Sequence, residues 1–167
     1  MSDPLYPIPL FRFQVEFRRE QDNDITLAHG AFSDCSGLEA TMEPKVIKAG
    51  GANYGAFQRA GRVTFATVVL KRGITTSRDL WKWFSHVSER DKYAFRLDVK
   101  ITVFGDVGMA PPPGAPTDNP QPSTEPRLTI RLFRAMPIKF KSGDLSAKAT
   151  EVGIEELHLA HEGLTFV

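Results

Sequence analysis

Four separate stretches of this chain alternate apolar and polar side chains. Phe11, Phe13, Val15 and Phe17 alternate with Arg12, Gln14, Glu16 and Arg18, and Phe95, Leu97, Val99, Ile101 and Val103 alternate with Arg96, Asp98, Lys100 and Thr102. Leu128, Ile130 and Leu132 repeat the pattern with Thr129 and Arg131 between them. A period of two puts every apolar side chain of a strand on one face. In the fourth stretch, Val63, Phe65, Thr67 and Val69 face one way and Thr64, Ala66, Val68 and Leu70 the other, so burial on both faces is expected there. The pattern predicts a mainly β, two-layered fold with polar outer faces and many strand edges.

The elements follow in order. A strand over 10–17 is followed by a polar turn, Arg18 to Asp24, and a partner strand, Ile25 to Phe32, making a hairpin. Residues 33–61 hold Gly37, Gly50, Gly51, Gly55 and Gly61, too many glycines for a helix and too long a stretch for a tight turn, which predicts a protruding hairpin or long excursion. Thr76 with Asp79 three residues on resembles a capping box, and Leu80, Trp83, Phe84 and Val87 then fall on one stripe of a helix over about residues 76–88. Burying that stripe contributes on the order of 1.5–3 kcal/mol per side chain. Trp81 lies off the stripe, either as a partial cover for the core or as a contact for another chain. A strand over Tyr93 to Phe104 follows, and Ile138 and Phe140 weakly extend the alternation begun at Leu128. Val152 and Ile154 share one face and Leu157 and Leu159 the other, so a bulged strand with its slip at Glu155 and Glu156 is expected.

Between the strands ending at Phe104 and beginning near Leu128, residues 105–126 carry seven of the twelve prolines. Such a segment has little to bury and few backbone donors, which marks a solvated surface insertion in a single domain spanning 1–167. Apolar residues at 41% and charged ones at 25% are ordinary globular values. The 21 basic and 20 acidic side chains nearly cancel, so no whole-chain field draws the protein to nucleic acid or anionic lipid. Specific nucleic-acid binding is not expected. A single cysteine, Cys35, cannot form an intrachain disulfide and suits assembly in a reducing cytoplasm. No stretch reaches the roughly 20 apolar residues of a membrane span, and the N-terminus lacks an export signal, so no anchor is expected.

Candidate chemistry is sparse. His158 and His161 are three apart, poor geometry for joint metal ligation on a strand, and Glu162 beside His161 makes no HExxH motif because no second histidine follows. Cys35 has no base near it in sequence and reads as a small half-buried thiol. Gly50, Gly51 and Gly55 lack the spacing and the Lys-Ser/Thr pair of a phosphate loop. No catalytic residue, cofactor site or metal site is expected, and the chain does not read as an enzyme.

Several segments carry a resemblance. GLEA at Gly37 to Ala40, Gly50-Gly51 followed by Asn53, GRVTFATVVLKRGIT from Gly61 to Thr75 with the helix SRDLWKWF, and EVGIEELHLAHEGL from Glu151 to Leu164 resemble the inner-tube proteins of contractile phage tails and related injection systems. The LKRGIT-to-helix junction and the IEELHLAHEGL ending, in this order, are the specific part. The resemblance implies a small β-barrel or sandwich with one flanking helix, assembled into hexameric rings that stack as a hollow tube inside a contractile sheath. It further implies that the stretch around residues 41–60 reaches a neighbouring subunit and that the termini help join rings. The subunit contacts implied are Gly37, Glu39, Glu43, Lys45, Gly50, Gly51, Asn53, Arg59 and Arg62 in and around that stretch, Lys71 and Arg72 at the strand before the helix, and His161 and Glu162 near the end. The partners implied are other copies of the chain, the sheath protein, the baseplate and cap or terminator proteins, and cargo in the lumen of a phage-tail-like particle. The insertion at 105–126 departs from the short turn usual in the family, which leaves a baseplate-proximal, tube-initiating paralogue as an alternative. Two other classes stay open: a monomeric β-barrel that binds a small ligand, and a hydrolase with its site in the glycine-rich stretch.

Overall fold

The computed structural model describes residues 12–19, 22–30, 32–48, 50–51, 55–89, 92–104, 126–143 and 152–167, with the backbone alone over 22–30. The expected N-terminal arm, Asn53 and nearly all of the 105–126 insertion lie outside the described residues. The opening alternation forms β1 (Phe13–Arg19), which pairs antiparallel with β2 (Asp22–Gly30) as the expected hairpin. The strands run closer to the turn than the sequence indicates, so Arg18, Arg19 and Asp22 belong to the ladder. On its other side β1 pairs with β9 (Leu97–Phe104), whose Leu97, Val99, Ile101 and Val103 are all buried as the alternation requires.

The longest strand, β10 (Pro126–Lys141), belongs to two sheets. Its first half pairs with β9 along one edge; along the other edge lie β11 (Ile154–Ala160), against the second half, and β12 (Gly163–Phe166), against the first. Beyond β11 come β8 (Val68–Gly73) and the short β3 (Asp34–Ser36), giving the order β2-β1-β9-β10-β11-β8-β3. The strand can serve both sheets because it bends at Arg134, whose φ of 50° is a left-handed conformation rare for a non-glycine residue. Asp98 Oδ1 accepts the Arg134 backbone N–H at 3.0 Å, and Glu162 Oε2 accepts its Nε–H at 2.9 Å. The bend changes which residues face inward: Ile130 and Leu132 are buried before it, Ala135 and Pro137 after it. A second irregularity between Pro137 and Lys139 returns Phe140 to the inner face and leaves Ile138 46% exposed, so Ile138 does not extend the apolar face as the sequence indicates.

The two sheets enclose one core of Val15, Phe17, Leu97, Val99, Ile101, Ile130 and Leu132 against Val68, Leu70, Leu157 and Leu159. Helix α1 (Asp79–Ser88) closes it with Leu80, Trp83 and Val87, and the Trp83 indole meets Phe17 edge to face at 5.2 Å. The expected stripe is therefore the buried one. The capping box is not formed: Arg78 occupies the cap position with φ 51°, no side chain caps the helix there, and Thr76 lies in the preceding turn. The Asp79 carboxylate is engaged by Arg72, Ser77 and the N–H of Leu80.

Two further expectations are corrected. The continuous strand over 63–70, buried on both faces, is instead β7 (Val63–Phe65) and β8, broken at Ala66 and Thr67, with Val63 exposed and only Val68 and Leu70 of that stretch fully buried. At the break the chain passes close to Gly37, where a Cβ would lie 2.0 Å from the Thr67 carbonyl oxygen. Nor does β11 carry a bulge, because its register with β8 is unbroken from Ile154↔Gly73 to Leu159↔Val68. Glu155, Leu157 and Leu159 are the inward positions, and the acid at the first of them is buried.

Candidate functional site

Between β3 and β8 the chain leaves the sheet as a long hairpin. Its root is β4 (Ala40–Met42) paired with β7, and its outer part is β5 (Lys45–Ile47) paired with β6 (Phe57–Arg59). Glu43-Pro44 on one side and Ala60 to Arg62 on the other interrupt the ladder and make a waist, an open groove lined by Glu43, Lys45, Arg59 and Arg62. The crossing is close, since a Cβ on Gly61 would lie 1.9 Å from the Glu43 carbonyl oxygen. Both strands are exposed throughout the outer part, and Ile47 and Phe57, direct cross-strand partners, are 48% and 66% exposed. Lys45 stands opposite Arg59, a like-charge pair that destabilises a ladder. Among the described residues, neither these two nor Arg62 has an ion-pair partner. The outer ribbon thus exposes one apolar pair, Ile47 with Phe57, and one opposed pair of cations.

Most of the contact residues implied by the resemblance gather here. Glu39, Glu43, Lys45, Arg59 and Arg62 are exposed on the hairpin, Gly50 and Gly51 form a turn at its far end, and Gly37 packs at its root. His161 lies beside the root, its ring 5.3 Å from that of Phe65, with Nδ1 3.0 Å from the Gly163 carbonyl oxygen. Glu162 is exposed and paired with Arg134. Lys71 lies apart, on the outer face of β8, 3.7 Å from Asp34.

Arg72 is placed differently. It continues the inward phase of Val68 and Leu70, faces Glu155 across the β8–β11 ladder, and is 3% exposed. Its Nε donates to Glu155 at 2.5 Å, its two terminal nitrogens donate to the two oxygens of Asp79, and its guanidinium lies 5.6 Å from the centre of the Phe32 ring. Burial alone would lower the Arg72 pKa, but the bonds from the two carboxylates outweigh it and leave the pKa above its ordinary value. Burial would likewise raise the Asp79 carboxyl, and the bonds from Arg72 and Ser77 hold it below the usual range. The guanidinium therefore fastens the helix start to the sheet inside one subunit. Reading its sequence neighbours alone misses this cluster; extending the alternation of 68, 70, 72 and of 155, 157, 159 finds it.

The remaining chemical candidates are quiet. Burial, then the charge of Asp34, pushes the Cys35 thiol up to about 11, far from a reactive thiolate. His158 faces outward beside Glu156, and no group of three potential metal ligands occurs among the described residues. Trp81 is 48% exposed and covers Phe140 and Phe84 at 5.5 and 5.8 Å between ring centres, which makes it a partial lid on the core. No helix among the described residues is long and apolar enough to cross a membrane.

The described residues form a two-sheet body with a ribbon standing off it. The sequence matches the T4-like virus tail tube protein gp19 family over residues 9–165. The chain belongs to that family and is a structural tube subunit, as the GLEA, LKRGIT and IEELHLAHEGL segments lead one to expect. No curated protein matches it in sequence. Among solved structures it is similar to a chain of the anti-feeding prophage baseplate, 6-fold symmetrised, with 25% identity, a TM-score of 0.71, and coverage of 100% of this chain and 97% of that one. It shares its fold with a chain of the sheath-tube complex of PVC, an extracellular contractile injection system, at 21% identity and a TM-score of 0.73 over 98% and 93% of the two chains. It also shares it with a chain of the PVC sheath/tube terminator, at 20% identity and 0.73 over 99% of both.

Proposed function

We propose that copies of this chain form hexameric rings that stack into the hollow inner tube of a contractile injection system or phage tail, through which cargo passes into a target. The observation that carries this reading is the exposed ribbon with its opposed cations and the Ile47–Phe57 pair, on a body whose sheet, among the described residues, ends in β2 and β3. Self-association covers both, since pairing edges across subunits satisfies backbone groups that otherwise invite aggregation. The sixfold symmetry of the related baseplate structure supports the ring number. The subunit contacts are the exposed hairpin residues Glu39, Glu43, Lys45, Gly50, Gly51, Arg59 and Arg62 with Asn53, the packed Gly37 at the root, and Lys71, His161 and Glu162; Arg72 is left out because it is occupied within its own subunit.

In this reading the whole chain is one tail-tube unit with a surface insertion at 105–126. It assembles in the cytoplasm, joins a phage-tail-like particle, and catalyses nothing. The sheath supplies mechanical work, and the tube supplies stiffness and a lumen. Sheath, baseplate and cap or terminator proteins are the partners, following the complexes in which its relatives are found. Mass measurement of the purified chain by light scattering tests the proposal: a species of six chains and larger multiples is expected, and a monomer at every concentration overturns it.

A further inference from the structure

Alternation turns Leu97, Val99, Ile101 and Val103 of β9 into the core, so Asp98, Lys100 and Thr102 share its outward face. Cross-strand rows form there. Lys100 stands between Glu16 of β1 and Arg131 of β10, with Thr165 of β12 beyond, and Thr102 stands between Gln14 and Thr129. Like charges directly opposite destabilise a ladder, so the Lys100–Arg131 pair calls for an anion. Both acids on the described part of this face are engaged: Arg18 holds the Glu16 carboxylate at 2.7 Å, and Asp98 accepts the Arg134 backbone N–H at 3.0 Å. Among the described residues neither Lys100 nor Arg131 has an ion-pair partner, and the Arg131 guanidinium lies 6.0 Å from the centre of the Phe133 ring.

The same face holds donors that lack acceptors. Thr102 is 6% exposed although it faces outward, and its hydroxyl has no hydrogen-bond partner; Arg12 Nη1 and Arg18 Nε are also buried without one. Arg12 continues the outward phase of Gln14, because its carbonyl accepts the Phe104 N–H at 2.9 Å one step along the β1–β9 ladder. Buried donors normally have acceptors, so these orphans, like the opposed cations, mark a place for an acceptor from outside the chain. The two rows contain no apolar side chain, whereas lasting subunit contacts are rich in apolar area. They suit a partner that comes and goes. Nucleic-acid binding draws on many phosphate contacts, and one adjacent pair of cations with two acids nearby supplies few. Carboxylates, which take charge-assisted bonds from Lys and Arg and further bonds from hydroxyls, fit better. We infer that the outward face of β1, β9 and β10 binds acidic segments of a polypeptide, with Lys100 and Arg131 on the carboxylates and the Thr102 hydroxyl donating beside them, and that net-acidic proteins are the cargo. The inference rests on the proposed tube and names the chemical class of what passes through it.

Binding of two labelled probes to assembled full-length chain, followed by fluorescence anisotropy, tests this. Polyglutamate is expected to bind at low salt and to weaken as salt screens the cations, and oligodeoxythymidine of matched charge is expected to bind more weakly. Lys100→Gln with Arg131→Gln, at positions outside the core, is expected to weaken polyglutamate binding at least tenfold while rings still form. Lys139→Gln with Lys141→Gln, on exposed positions of the second half of β10, is expected to leave binding unchanged. The comparison of the two probes on the parent chain needs no variant. Assembled chain that ignores polyglutamate, that prefers oligodeoxythymidine, or that binds polyglutamate equally well without Lys100 and Arg131 overturns the acidic-cargo face and leaves the tube standing. Absence of rings and tubes from the parent chain overturns the tube, and the cargo role with it.

Discussion

Arg72 and Glu155 face each other across the β8–β11 ladder with both side chains turned into the core, and Asp79 at the helix start completes the pairing of the guanidinium. Charges this deep are costly to desolvate, and removing one partner strands the others. Arg72→Leu is therefore expected to cost about 3–5 kcal/mol, read as a lower denaturation midpoint in urea. Changing Glu155 to Leu and Asp79 to Asn as well should recover much of that loss, because no uncompensated carboxylate then remains.

The same cluster predicts the acid limb of stability. Burial would raise the Asp79 pKa, but Arg72 and Ser77 hold it below the ordinary carboxylate value. Its contribution is complete above the unfolded value of about 3.9 and is lost as pH falls through the lower folded value. Thermal midpoints are expected to carry this contribution unchanged from neutral pH to about 5 and to lose it below about 4, with Asp79→Asn showing a shallower acid decline.

Deletion of Met42 to Arg59 removes a ribbon whose described side chains are all exposed and leaves the core cluster untouched. The expected product is a folded monomer with near-normal circular dichroism that makes no rings. Normal tubes from this deletion would show that the ribbon is not an assembly element.

Gly37 and Gly61 should separate folding from assembly. Gly37 combines φ 82° with the close approach to Thr67 at the edge of the core, so Gly37→Ala is expected to lower stability by about 1–3 kcal/mol. Gly61 lies at the waist against Glu43, away from the core. Gly61→Ala is expected to leave the melting temperature within a few degrees of the parent and to impair ring formation in sedimentation.

Much of this was legible from alternation alone. The inward residues of β1 and β9 and the stripe of α1 follow from periods of 2 and 3.6, and the glycine-rich stretch marks the protruding hairpin. The errors share a cause, which is that tertiary contacts reset the phase. The bend at Arg134 depends on Asp98 and Glu162, distant in sequence, so nothing near Leu132 announces it. The helix start slipped because Asp79 is claimed by Arg72 from another element. A buried glutamate also looks like a phase error: Glu155 reads as polar and outward until Arg72 is seen opposite. The contacts expected of the hairpin residues came from resemblance, and the exposure of those side chains becomes apparent only when the ribbon is seen standing off the body.

The central claim, that this chain is built to join copies of itself around a hole, is tested most directly by negative-stain electron microscopy of the purified protein at high concentration. End views should show sixfold annuli with an empty centre, and side views should show those annuli stacked at a regular repeat. Fields of single compact particles, with no annulus under any assembly condition or in particles from the source cell, would contradict it.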